Sequence, residues 1–405
     1  MKTLIKIAWR NCWRNSTRTA IVIFAIIFGI WSSIFVMGFM EGMLRQRTEK
    51  AVSVELGDIQ IHSNSFDYNA DVANVVSDLT TIESLLSQHE GVEAFSSRFR
   101  TEAFGLTAHG QRGLKLLGVN AENEAATLAL KPRMVEGTFL QSELSYPVLV
   151  GQKLADDLKL RLGSKIQLNF TNVDSTQISK NFKVCGIYKV GNDMFDGINV
   201  FVPIDRIEKL TGTHLVHEIV VKCSNPEMIQ TTADELQAAS ADNLIESWMT
   251  RFPIIYTSVE MMDSIMYVLM IIIILALLFG IINTLVMSIL ERKRELGVLL
   301  AIGMTKNKVR WMIIFESIIY GAIGGPLGIT VGYFTMMYFE RFGFDLSSLA
   351  QGMEAFGYDP IIYMNVSFKY YIVYTMLIVI STIIGGIYPS RMATRLNPIA
   401  AIRSV

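Results

Sequence analysis

Four runs of apolar residues, 19–40, 264–290, 318–339 and 370–390, constrain this chain more than any other feature. Each reaches the roughly 20 residues needed to cross a hydrocarbon core about 30 Å thick. Lipid offers no partners to backbone N–H and C=O groups, so the runs are expected as helices. The first is too long for a secretory leader and no small-residue cleavage site follows it, so it reads as an uncleaved anchor. Overall, 51% of the 405 residues are hydrophobic and 18% are charged, which fits a few membrane helices plus one sizeable water-exposed domain. A net charge of −1 gives no support to nucleic-acid binding, and three cysteines are too few for a disulfide framework.

The flanks set an orientation. Lys2, Lys6, Arg10, Arg14 and Arg18 precede the first run with no acid among them. Arg292, Lys293, Arg294, Lys306, Lys308 and Arg310 follow the second, and Arg391, Arg395 and Arg403 follow the fourth. Short flanks rich in Lys and Arg stay cytoplasmic. One arrangement satisfies all three: a cytoplasmic amphipathic helix 1–18, a membrane helix 19–40, an outer domain 41–263 and a membrane helix 264–290. A cytoplasmic loop 291–310, a membrane helix 311–339, a short outer loop 340–369, a membrane helix 370–390 and a cytoplasmic tail 391–405 complete it. The fold class is thus four membrane helices with a large α+β domain of two lobes between the first and second. The expected location is a bacterial inner membrane, with both termini cytoplasmic and the large domain periplasmic.

Within 291–317, Leu296, Leu299 and Leu300 recur at helix spacing, and Gly303 stands where a terminating glycine belongs. The chain is expected to leave the membrane, form one short helix, turn and return. Two readings fit this basic loop, an orientation signal and a docking knob for a cytoplasmic partner.

Two stalks are expected. Residues 43–55 contain neither Pro nor Gly, so the first helix should continue to Gly57, while Thr257 or Ser258 should open the second. The outer domain alternates like strands at 58–62, 104–108, 114–119, 148–150, 165–170, 182–188, 199–202 and 218–223. Helices are expected at 79–90, capped by Ser77 or Asp78 and stopped by Gly91, and at 227–239 behind Asn225 and Pro226. The pattern brackets a β-rich insertion, hence the two lobes. Gly324, Gly328 and Gly332 lie four apart on one face of the third membrane helix, which lets helix backbones approach closely, and Pro326 should kink it. Gly385, Gly386 and Pro389 are expected to end the fourth.

Motifs that carry chemistry are sparse. No GxxxxGK[ST] occurs, so ATP, if used, is expected on another subunit. His214, His217 and Glu218 cluster with the wrong spacing for a helical zinc site. Asp193 and Asp196 fall in a glycine-bounded stretch expected as a loop. Cys185 and Cys223 fit either a disulfide or two buried thiols. Glu316, two turns into a membrane helix, invites a polar partner from a neighbouring segment. The expected cofactor and metal content of this chain is nil.

The stretch ERKRELGVLLAIGMTKNKVRWMIIFES, the opening AWRNCWRNSTRTAIVIFAIIFGI with GFMEGML and LGDIQIH, and the ending YPSRMATRLNPIAAIR resemble the MacB/FtsX-like permeases, nearest the lipoprotein-releasing LolC/LolE type. LKLLGVNAENE, VLVGQKLADDLKLRLGSKIQL and VCGIYKVGNDMFD extend the resemblance across most of the chain. It implies a permease paired with a second permease, as homodimer or heterodimer, on a cytoplasmic ABC ATPase dimer. Arg292, Arg294, Glu295, Leu296, Leu299, Leu300 and Gly303 would form the coupling helix. Gly324, Gly328, Gly332 and Pro326 would serve packing. Work would be done outside, on a lipid-anchored protein, a small molecule or a partner hydrolase, with a periplasmic carrier and membrane lipid as further partners. The alternative within the family is an FtsX-like regulator of a cell-wall hydrolase. Reversing the charge at Arg292 and Arg294 with Leu299→Asp is expected to release the ATPase and leave insertion intact.

Overall fold

The computed structural model describes residues 2–66, 72–140 and 144–395. Arg403 and the end of the 391–405 tail lie outside the described residues. The chain divides into two compact units. One holds residues 44–259 and 346–360, the other the remaining segments, including most of the four long apolar helices.

The α/β unit is built on ten strands in one sheet. In chain order they are β1 (Ile59–Ser63), β2 (Val92–Thr107), β3 (Gly110–Val119), β4 (Met134–Gly137), β5 (Pro147–Gly151), β6 (Lys165–Thr171), β7 (Gln177–Tyr188), β8 (Asn199–Pro203), β9 (Glu218–Cys223) and β10 (Asn243–Ser247). The order is β10-β1-β9-β2-β3-β8-β5-β7-β4, with β6 bridging β2 and β7. Among the described residues, only the pairs β3–β8 and β5–β7 run parallel. Strand β2 joins the two ends of the sheet. Its first half pairs with β9 and its second half with β3 and β6. The bracketed pieces of the sequence therefore become two regions of one sheet, each with its own core. Ile59, Ile61, Ile219, Val221 and Ile245 pack under the helices Leu79–Gln88 and Ile229–Ala239. Phe99, Leu116, Val150, Ile166, Phe182 and Val202 fill the other region.

Several expectations change in detail. The Leu79–Gln88 helix stops at His89, before Gly91, and Asp78 precedes it in a left-handed conformation without a capping bond from its side chain. Asn225 does cap the next helix, accepting from the Glu227 N–H. The Asp193/Asp196 stretch is a helix, Asp193–Ile198, because Asn192 accepts from the N–H groups of Met194 and Phe195 and nucleates it. The Asp196 carboxylate is buried and accepts from the Val190 and Gly191 N–H groups. Burial pushes its pKa up to about 7 against the lowering effect of those donors. The segment 346–360, expected as a plain loop, belongs to this unit. Lys50 pairs with Asp359 at 2.5 Å, Lys189 with Glu354 at 2.9 Å, and Arg47 donates to the Tyr358 hydroxyl at 2.9 Å.

The first long helix runs Ser16–Lys50 and passes into a π-helical turn, Ala51–Leu56, ended by Gly57 at φ +70°. The second runs Pro253–Glu291, opening at Pro253 rather than at Thr257 or Ser258, since proline suits the first helical position. The third runs Lys306–Phe342, helical through Pro326, and the fourth Phe368–Thr394. Gly385, Gly386 and Pro389 do not end the fourth. Instead Gly386 admits Ser317 and Gly385 admits Ile281 at close range.

The membrane unit is held by a glycine seam. Ile26, Ile30 and Ile34 of the first helix sit against Gly324, Gly328 and Gly332 of the third. A Cβ on these glycines would lie 2.8, 2.9 and 2.6 Å from isoleucine side-chain atoms. Gly321 likewise leaves room for Thr382 of the fourth helix. Hydrocarbon competes with helix contacts on equal terms, so such close approach is the main source of cohesion.

Gly328→Leu is expected to cost about 1–3 kcal/mol by overpacking. Gly280→Leu, with nothing within 4 Å of its Cβ position, is the matched control. Thermal unfolding in one detergent should show a lower Tm for Gly328→Leu alone; equal values would refute the seam.

Candidate functional site

Between the second and third long helices lies the short helix Lys293–Ala301. Its end is a Schellman turn. The Gly303 N–H bonds the Leu300 carbonyl at 3.2 Å and the Met304 N–H bonds the Leu299 carbonyl at 3.0 Å. Gly303 takes φ +96°, which glycine alone adopts without strain. Met304 and Leu299 both pack against the apolar cluster below.

That cluster decides which way the short helix faces. Leu296 is buried among Ile289, Val309, Met312, Ile313 and Ala393, and Leu299 and Leu300 pack against the same group. The leucine stripe therefore holds the helix to its own unit. Arg294, Val298, Ala301 and Ile302 point outward, Ile302 being 75% exposed. Val298 and Ile302 are not among the residues that the leucine spacing singles out, because the strongest apolar stripe of the short helix is the one turned inward. The signal was present in the spacing: Arg294, Val298 and Ile302 recur every four residues on the opposite face.

A polar lattice braces the turn from the other side. Glu316 is 3% exposed inside the third helix. It accepts from Asn11 at 2.8 Å and from Arg292 at 3.0 Å. Arg292 also reaches Glu295 at 3.4 Å, and Glu295 takes Arg14 at 2.5 Å. Arg18 makes a two-pronged pair with Glu291. Arg14 and Arg18 each draw their carboxylate partner below its usual pKa range. The N-terminal helix Lys2–Arg14 is thereby tied to both sides of the turn, with Ala8 and Cys12 buried and Ile5, Trp9 and Trp13 exposed.

Arg292, Glu295, Leu296, Leu299 and Leu300 are thus brought together as the inner support of the helix. Arg294 alone of the charged candidates faces out. The triple change at Arg292, Arg294 and Leu299 would break this support along with any docking surface, because two of its three positions are interior. Pro326 leaves one carbonyl a turn earlier without its usual donor, and Thr330 bonds the Pro326 carbonyl at 2.7 Å.

The remaining candidates separate. His214 bonds Glu208 at 2.5 Å, His217 is buried with Nε2 3.0 Å from the Val72 carbonyl, and Glu218 accepts from Arg98 and Arg100. Among the described residues no three His, Cys, Asp or Glu side chains are grouped to hold a metal ion. Cys185 and Cys223 are free thiols in different cores, and Cys185 donates to the Val148 carbonyl at 3.3 Å.

Residues 19–239, more than half of the 405-residue chain, match the MacB-like periplasmic core domain family, and residues 267–398 match the FtsX-like permease C-terminal family. An uncharacterized ABC transporter permease of Methanocaldococcus jannaschii is 27% identical over 66% of this chain and 65% of its own length. The lipoprotein-releasing system transmembrane protein LolC of Xylella fastidiosa is 21% identical over 70% and 71%. The macrolide export ATP-binding/permease protein MacB of Campylobacter fetus is 26% identical over 55% of this chain and 33% of its own length. The chain therefore spans about two thirds of the first two relatives and one third of the last. Among solved structures, the periplasmic region of MacB from Actinobacillus actinomycetemcomitans covers 52% of this chain and 98% of that one, at 14% identity and TM-score 0.37. The extracellular domain of the Gram-positive transporter YknZ covers 47% and 100%, at 16% identity and TM-score 0.34.

Arg292→Met is expected to strand the buried Glu316 carboxylate and cost about 3 kcal/mol. The double change Arg292→Met with Glu316→Met should recover much of that loss. Tm values of both variants in detergent check this; a double variant no more stable than the single one would contradict the pairing.

Proposed function

Because this chain belongs to the ABC transporter permeases that join a MacB-like periplasmic core domain to an FtsX-like permease C-terminal domain, we propose that it is the membrane subunit of a mechanically coupled transporter. An ATPase carried by a partner chain burns ATP on the cytoplasmic side. The Lys293–Ala301 helix receives that movement, and the long helices on either side pass it toward the α/β unit, which works in the periplasm. The protein sits in the inner membrane with its N-terminal helix and the 291–310 turn on the cytoplasmic face.

One observation carries this reading. The short helix presents Arg294, Val298 and Ile302 outward while its leucine face and the Glu316 lattice fix it from behind. A knob that is braced on one side and presents one arginine and two apolar side chains on the other can transmit a push instead of absorbing it. The basic residues around the turn support its cytoplasmic placement. The absence of GxxxxGK[ST] from these 405 residues agrees with nucleotide chemistry in a partner. A second permease, identical or related, completes the assembly. The LolC likeness favours a lipid-anchored protein as substrate, released from the membrane outside without passing between the helices. The FtsX-like match supports a second reading, in which the same mechanics switch a cell-wall hydrolase.

Arg294→Glu combined with Ile302→Asp should cut the co-purifying ATPase at least tenfold, with Tm and membrane accumulation of the permease unchanged. Co-purification at the wild-type level would refute the docking role.

A further inference from the structure

The α/β unit holds a second polar assembly that mechanical coupling does not require. Arg98, 3% exposed, lies between Glu124 at 2.5 Å and Glu218 at 2.8 Å. Arg100 takes the other oxygen of Glu218 at 2.8 Å. Arg251 pairs with Glu246 at 3.0 Å and lies over the Phe66 ring at 4.8 Å. These three arginines line one cavity of about 180 Å³, together with Lys115, Phe66 and Phe252.

Each arginine has a carboxylate. Lys115 does not: among the described residues no carboxylate lies within ion-pair distance of its ammonium group. Glu218 also faces the cavity but is already shared by two guanidinium groups. Glu55, which also lines the cavity, is bonded by Asn192 at 2.7 Å, and burial raises its pKa against the lowering effect of that bond and of nearby cations. Glu102 stands directly across the strand ladder from Lys115 but is exposed and beyond pairing distance. Burial and the nearby Arg100 charge lower the Lys115 pKa, against the opposing pull of Glu218, Glu102 and Glu55. A half-buried cation thus stands beside three guanidinium groups with no direct ion-pair partner among the described residues.

We propose that this cavity binds a phosphate-class oxyanion, with Lys115 and Arg100 as the main contacts and Phe66 and Phe252 flanking the organic part of the ligand. Guanidinium forks match tetrahedral oxyanions and lysine adds a point charge. The cavity has room for a phosphate group with a short carbon skeleton. A soluble phosphate ester and the headgroup of a phospholipid share this chemistry.

The full chain in detergent is titrated with inorganic phosphate, with glycerol 3-phosphate and with dihexanoyl phosphatidate, against sodium chloride at equal ionic strength. At least one phosphate probe should raise Tm by more than 2 °C. Lys115→Met should keep its unliganded Tm and weaken binding at least tenfold, and Lys115→Arg should restore it. A response to inorganic phosphate and glycerol 3-phosphate assigns the site to soluble esters, and a response to the phosphatidate alone assigns it to lipid. No response to any probe, or an undiminished one in Lys115→Met, overturns the proposal.

Discussion

The close approach of the first and third membrane helices governs the membrane unit. In water, apolar side chains are driven together by solvent; in a bilayer that drive is absent, and contact area has to do the work. Ile26, Ile30 and Ile34 gain it by entering the spaces that Gly324, Gly328 and Gly332 leave open. The fourth helix joins by the same means at Gly321 and Thr382. The second helix contributes less to this packing, with most of its span facing away from the rest of the unit. Polar contacts then fix the turn at the end of the bundle, Glu316 serving as the point where Asn11 and Arg292 converge.

These two devices have different consequences. The seam tolerates only small residues along one face of one helix, so it specifies which helices touch and in what register. The Glu316 pair is costly to bury and costly to break, so it specifies the orientation of the Lys293–Ala301 helix. With leucines beneath and ion pairs beside it, that helix has one remaining face. The proposed role in energy coupling rests on this face being small, exposed and backed by a stiff support.

Much of this was legible in the sequence because it follows from local rules. Apolar run length marked the four helices, the fourfold glycine spacing marked a packing face, and Gly303 marked the end of the short helix. The strands of the α/β unit showed in their alternation. What escaped depends on distant partners. Leu296, Leu299 and Leu300 have the spacing of a docking face and of a buried face alike, and only the cluster around Met312 and Ile313 distinguishes them. The helix at Asp193–Ile198 was hidden by its glycines, because the Asn192 cap outweighs them locally. Residues 346–360 read as a linker, since their ties to Lys50, Arg47 and Lys189 cross more than 160 positions. The buried ion cluster around Arg98 could not be assembled from single residues on separate strands.

The proposed coupling requires the short helix and the α/β unit to lie on opposite faces of the membrane. Labelling with a membrane-impermeant maleimide tests this directly, using Ile302→Cys and Met194→Cys, both at exposed positions, in a protein whose own three cysteines are buried. The account predicts that Met194→Cys reacts in intact spheroplasts and Ile302→Cys only after the membrane is opened. Reaction of both without opening it would contradict the account.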